Sequence, residues 1–134
     1  MYYETTITIP ADTLKSAPTE VELRVTQGII HRIELEFPRG CAALAHVALY
    51  YHEHQFSPTN PDGDYASDGY VIPINDLLPL DSAPYTIEIR GWNDDDSYSH
   101  TIRVRMGILR PEQLGLGTPR PGILTRLKEA LIGE

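Results

Sequence analysis

The stretch WNDDDSYSH, residues 92–100, holds three consecutive aspartates, an asparagine and a histidine. Carboxylates gathered in one loop suit a hard cation such as calcium, which takes clustered oxygen ligands. The same residue types also build turns, because Asp and Asn side chains accept hydrogen bonds from nearby backbone N–H groups. A second stretch, NPDGDYASDG, sets Asn60, Asp62, Asp64 and Asp68 at relative positions 1, 3, 5 and 9 of a calcium loop. Position 6 is Tyr65 where that loop needs glycine, and position 12 is Val71 where it needs a bidentate glutamate. For both stretches a solvated, turn-rich loop is the stronger expectation.

The third stretch is HVALYYHEH, in which His46, His52 and His54 share one parity. An H-x-H pair on a strand can hold a metal through one face. The arrangement resembles that of the cupins, which would imply a metal-dependent enzyme. Their following glutamate and distant third histidine have no counterpart here, and polar residues near a strand end are the expectation. There is no G-x-S-x-G, P-loop, dinucleotide fingerprint or H-E-x-x-H. Cys41 reads as a small buried apolar residue, and His31 as a satisfied core or interface residue. Neither an enzyme nor a cofactor is expected. Tyr2, Tyr50, Tyr70 and Trp92 are predicted to be exposed. Trp92, Tyr50 and Tyr70 then become candidates for a ligand or carbohydrate platform, or for a subunit contact, where aromatics are enriched.

These side chains must be placed by a modest body: 134 residues suit one domain with one core. No apolar run approaches the roughly 20 residues that cross a bilayer, and MYYETTITIP reads as a strand rather than a signal peptide. The lone cysteine excludes an internal disulfide framework. A net charge of −8 argues against broad nucleic-acid binding, which requires basic surface. The charge is segregated. Residues 103–134 carry six basic side chains against three glutamates, a net of +3, which leaves −11 on the rest.

Apolar and polar residues alternate through the first 108 positions, the period of a half-buried strand. Strands are predicted near 3–9, where Tyr3, Thr5, Ile7 and Ile9 share one parity, and near 20–26, 29–37, 44–52, 69–74, 84–92 and 99–108. The pair 20–26 and 29–37 reads as a hairpin closed around Gln27 and Gly28. So does the pair 84–92 and 99–108, with Glu88 opposite Arg103, Ile89 opposite Ile102 and Gly91 opposite His100. Gly91 would there make room for the His100 ring, which would point inward, away from the aspartates. NDLLPLDSAP is expected to fold a turn of helix over one end. About seven short strands, each with one wet face, define the expected fold: an all-β antiparallel sandwich, jelly-roll or immunoglobulin-like, over residues 1–109.

Residues 110–134 differ in character. A Pro/Gly connector leads to ILTRLKEALIGE, whose Ile123, Leu124, Leu127 and Leu131 fall on one helical face. About ten residues is below the length at which an isolated helix is stable in water, so this stripe is expected to bind a surface, its own or a partner's.

The segments FPRGCAALAHVALYY, PTNPDGDYASDGYVI and WNDDDSYSHTIRVRMGIL resemble the small β-sandwich proteins that bacteriophages encode near their capsid genes. That resemblance, which covers roughly residues 1–108, implies a non-enzymatic component that decorates or cements a shell. Its partners would be further copies of itself or a larger protein shell. Its place would be the virion, after synthesis in the host cytoplasm, or otherwise the cytoplasm, with no role for nucleic acid or membrane. The alternative expectation is a carbohydrate- or ligand-binding module.

Overall fold

The computed structural model describes residues 1–114. It contains nine strands: β1 Tyr2–Ile9, β2 Thr19–Arg24, β3 Gly28–Phe37, β4 Ala45–Tyr51, β5 His54–Ser57, β6 Tyr70–Ile74, β7 Leu78–Leu80, β8 Thr86–Asn93 and β9 His100–Leu109. A 3₁₀ turn, Pro111–Leu114, follows. One sheet runs β1-β9-β3-β6, with β7 also on β3, and the other runs β2-β8-β4-β5; every pairing is antiparallel. With β6 and β7 taken together, since both pair with β3, eight strands in this order between two packed sheets form a jelly roll. The stripe Ile123, Leu124, Leu127 and Leu131 lies outside the described residues.

The predicted parity holds for most of the core. Ile7, Ile9, Leu35, Phe37, Val47, Leu49, Ile87, Ile89, Ile102, Val104 and Met106 are all buried between the sheets. Alternation has this effect because successive side chains leave opposite faces of a strand. Cys41 joins that core, fully buried. Burial, then the negative charges of Asp68 and Asp95, push its thiol pKa up, away from nucleophilic use.

Both predicted hairpins are corrected. β2 pairs with β8 while β3 pairs with β9, β6 and β7 in the other sheet. β8 pairs with β2 and β4, whereas β9 pairs with β1 and β3. Residues 25–27 and 94–99 are therefore arches that carry the chain from one sheet to the other. Glu88 faces Glu22 and Tyr50, and Arg103 faces Thr6 and Glu36. A strand's apolar face is buried equally well by a facing sheet and by either neighbour, so parity and charge matching do not choose its partner. Consecutive β4 and β5 do pair in one sheet.

Two further elements differ. NDLLPLDSAP forms no helical turn; Leu78–Leu80 is a strand, antiparallel to Gly28–Ile30. β6 and β7 lie end to end on the same partner, β3. On its other side β3 carries one extra residue against β9, between Ile30 and Arg32. That bulge at His31 shifts the parity, as an extra unpaired residue does. His31 thus leaves the face of Ile33 and Leu35 and lies over Gly107, edge-on to the Tyr2 ring at 6.0 Å.

Connections at one end of the sandwich are residues 10–18, 38–44, 58–69 and 94–99, and those at the other are 25–27, 52–53 and 81–85. β9 runs toward the second end, so the chain continues beyond Leu109 from there.

Candidate functional site

The acidic loops meet at the first end and are tied down by hydrogen bonds. Buried Asn93 donates through Nδ2 to the carbonyls of Ile9 and Tyr98, at 3.2 and 2.9 Å, and its Oδ1 accepts from the Asp95 N–H. Asp95 Oδ1 accepts from the N–H groups of Ser97 and Tyr98, and Oδ2 lies 2.8 Å from His100 Nε2. Ser97 N–H and then His100 hold the Asp95 carboxyl below its ordinary pKa. WNDDDSYSH is thus a turn fastened by its own side chains. His100 is buried as expected, but it is not kept from the aspartates. Asp95 folds back to meet it. The room made by Gly91 belongs to Ile9, whose Cδ1 would lie 2.5 Å from an added Cβ.

The calcium-loop positions are dispersed among separate partners. Asp68 Oδ1 accepts from the backbone N–H groups of Gly40 and Ala42, at 2.8 and 2.9 Å. Those two bonds, that of Ala42 first, lower its pKa. They support a tight turn in which Gly40, Ala42 and Ala43 all have positive φ. Asp64 Oδ1 lies 2.7 Å from His46 Nδ1, and Asn60 packs beside Gly63. Among the described residues no three His, Cys, Asp or Glu side chains converge as metal ligands.

Nor do the three histidines gather. His46 opens β4 and His52 follows its end, so about six residues of strand, roughly 20 Å, separate them. His46 Nε2 lies 2.9 Å from Asp94 Oδ2, so the ring sits between two aspartates from different loops. His52 Nε2 instead lies 3.0 Å from the Pro84 carbonyl at the opposite end.

Trp92 departs from expectation. It lies on the outward face of β8 yet is only 7% exposed. The His46 ring stacks on it at 5.5 Å with 6° between planes, and Lys15 Nζ stands 5.1 Å from the ring centre. A cation over an indole face is attracted by the ring's quadrupole. The loop that brings Lys15 was not legible as a cover, because nothing local in its sequence marks what it packs on. Beside Trp92, the Arg90 guanidinium lies 4.0 Å from the Tyr50 ring centre and pairs with Glu88 and Glu20. Together Lys15, Ser16, Pro18, Glu20, Tyr50, Arg90 and Trp92 line a groove of about 310 Å³. The fold thus brings Trp92 and Tyr50 together but leaves Tyr70 apart, 58% exposed on the other sheet. The aromatic faces in the groove are occupied by the molecule's own cations and imidazole, so they make no open stacking platform.

Among the described residues eight large apolar side chains are exposed: Leu14, Leu44 and Tyr98 in the loops of the first end, Met1 and Tyr2 at the start of β1, and three along a sheet edge. Tyr70 and Val71 on β6, and Leu77 just before β7, are 58%, 39% and 41% exposed along one edge of the first sheet. At the second end that edge borders a cleft of about 330 Å³, which includes Tyr51, Phe56, Leu78 and Pro79, with His54 and Asp81 at its rim. The sequence marks Tyr70 and the strand 69–74, but not the continuation of this edge through β7, which is only three residues long. The chain matches no protein-family model, and a search of curated proteins finds no match to it.

Proposed function

We propose that the protein is a non-enzymatic assembly component, of the kind that associates with copies of itself or docks on a larger shell such as a capsid. Residues 110–134 act as its fastener. The observation that carries this reading is the exposed apolar edge of Tyr70, Val71 and Leu77. An unpaired strand edge with apolar side chains is a template for another chain. The jelly roll itself serves both shell and lectin domains, so it supports the reading without deciding it. Segregated charge adds to it: an acidic body and a basic C-terminal region attract one another between copies.

Light scattering on the full chain tests the proposal. We expect a mass above the 15.0 kDa of one chain, and a lower mass when residues 110–134 are deleted, with the β-sheet circular dichroism retained. An oligomer indifferent to the deletion removes the fastener from the reading.

A second reading, a carbohydrate- or ligand-binding module, draws on the polar groups Lys15, Ser16, Glu20 and Arg90 that line the groove beside Tyr50, in place of aromatic stacking. Binding on a glycan array that persists in the wild type and disappears on Tyr50→Ala favours it.

A further inference from the structure

We infer that the His46 ring carries a proton on both nitrogens and serves as a pH-sensitive clasp between the 58–69 and 94–99 loops. Its Nδ1 lies 2.7 Å from Asp64 Oδ1, and its Nε2 lies 2.9 Å from Asp94 Oδ2. An ionised carboxylate only accepts hydrogen bonds, and a neutral imidazole donates through one nitrogen alone. Two carboxylates, one on each nitrogen, are therefore satisfied only by the imidazolium. Both distances match the about 2.7–2.9 Å of charge-assisted N–H···O bonds. A proton shared between groups of these types rests on the ring, since an ordinary carboxyl ionises at about pH 3.9 and an ordinary imidazolium at about pH 6.5. The main chain holds both acids in place. Tyr65, next to Asp64, exchanges backbone hydrogen bonds with Val47, and the Asp94 N–H donates to the Leu44 carbonyl.

The charged groups that face the ring come from three segments. Asp64 and Asp94 attract its charge, and Lys15, which stands over the same Trp92 indole, repels it. The two anions are in direct contact with the ring, whereas Lys15 acts across the indole, so attraction prevails. Deprotonation undoes one side of the clasp. The nitrogen that loses its proton presents a lone pair to a carboxylate, and the two repel. Asp94 is the partner that yields, because its side chain is 63% exposed against 26% for Asp64, and water replaces the ring beside it. The clasp is thus complete on the acid side and is lost as pH rises and the ring gives up its proton. Histidine is the side chain that ordinarily changes charge between about pH 5 and 8, and protonation of histidine is an established way to bias a structure between two states. One proton decides whether these two loops are joined through their side chains.

Proton NMR of the full chain tests the clasp. Ring N–H protons of an unheld imidazolium exchange with water too fast to be seen. Two ring N–H signals from His46 are therefore expected at about pH 6, on the acid side of an ordinary imidazole, assigned by their absence in His46→Gln. One should disappear as pH is raised to about 9, beyond the usual range of histidine. Fluorescence of Trp92, the only tryptophan, should rise with that loss, because an imidazolium stacked on an indole quenches its emission. Asp94→Asn provides the second arm. An asparagine amide can donate to an unprotonated Nε2, so in that variant the link survives loss of the proton. The wild-type urea midpoint should accordingly fall further between about pH 6 and 9 than that of Asp94→Asn, the other histidines being common to both chains. A single His46 ring N–H signal on the acid side overturns the inference, and so do equal falls in the two chains.

Discussion

Asp95 and Asp68 show how single carboxylates hold loops in this molecule. Each accepts two backbone N–H bonds, and each has its pKa lowered by them, Asp95 also by His100. A carboxyl with a lower pKa folded than unfolded binds fewer protons in the folded state. Its stabilisation is complete above the ordinary Asp value of about 3.9 and lost as pH falls through the folded value. Urea midpoints followed from pH 6 downward should therefore fall more steeply in wild type than in an Asp68→Asn, Asp95→Asn double variant. Gly91 gives a prediction of packing. Because an added Cβ meets Ile9 Cδ1 at 2.5 Å in a filled core, Gly91→Ala should cost about 1–3 kcal/mol, measured by chemical denaturation. His46, between Asp64 and Asp94 and stacked on the only tryptophan, links three segments through one ring. Its neighbours come from residues 18 and 48 positions away in sequence. No spacing rule could have joined them.

Among the elements, the turn between β4 and β5 is built against local preference. His52 and Glu53 have φ of 50° and 62°, the left-handed region that a two-residue hairpin turn requires and that Asn-Gly supplies best. Left-handed geometry costs a residue with a Cβ roughly 1–2 kcal/mol. His52→Asn with Glu53→Gly should thus raise stability by about 1 kcal/mol net of the added glycine freedom, read as a higher urea midpoint. The outer faces of the sheets follow different rules. In the first sheet Arg105 joins Glu4, Glu34 and Glu36 across three strands, and Glu36 foremost raises the Arg105 pKa. In the second sheet Glu22 faces Glu88 directly, an unfavourable pairing of like charges. Glu22→Lys should accordingly stabilise by a few tenths of a kcal/mol, seen as a small rise in melting temperature.

At the scale of the whole molecule, β1 pairs with β9 and β2 with β8, so the two halves of the sequence close only when distant strands meet. Folding that must close long loops before it gains contacts is slow, milliseconds to seconds for all-β domains. Refolding followed by Trp92 fluorescence should fall in that window. Microsecond refolding would contradict a transition state built on these pairings. The sequence by itself determined the all-β class, most strand positions, the inward faces of β1, β4, β8 and β9, and the turn character of WNDDDSYSH. These follow from period-two alternation and from the local hydrogen bonding of Asp and Asn. Only the tertiary structure decided which strands pair, where the bulge at His31 turns a predicted core side chain outward, and that Lys15 and His46 cover Trp92. It also decided that β6 and β7 form one exposed apolar edge. Each of these depends on what lies across a sheet or over a strand, and such partners come from remote positions that a local pattern of polarity does not encode.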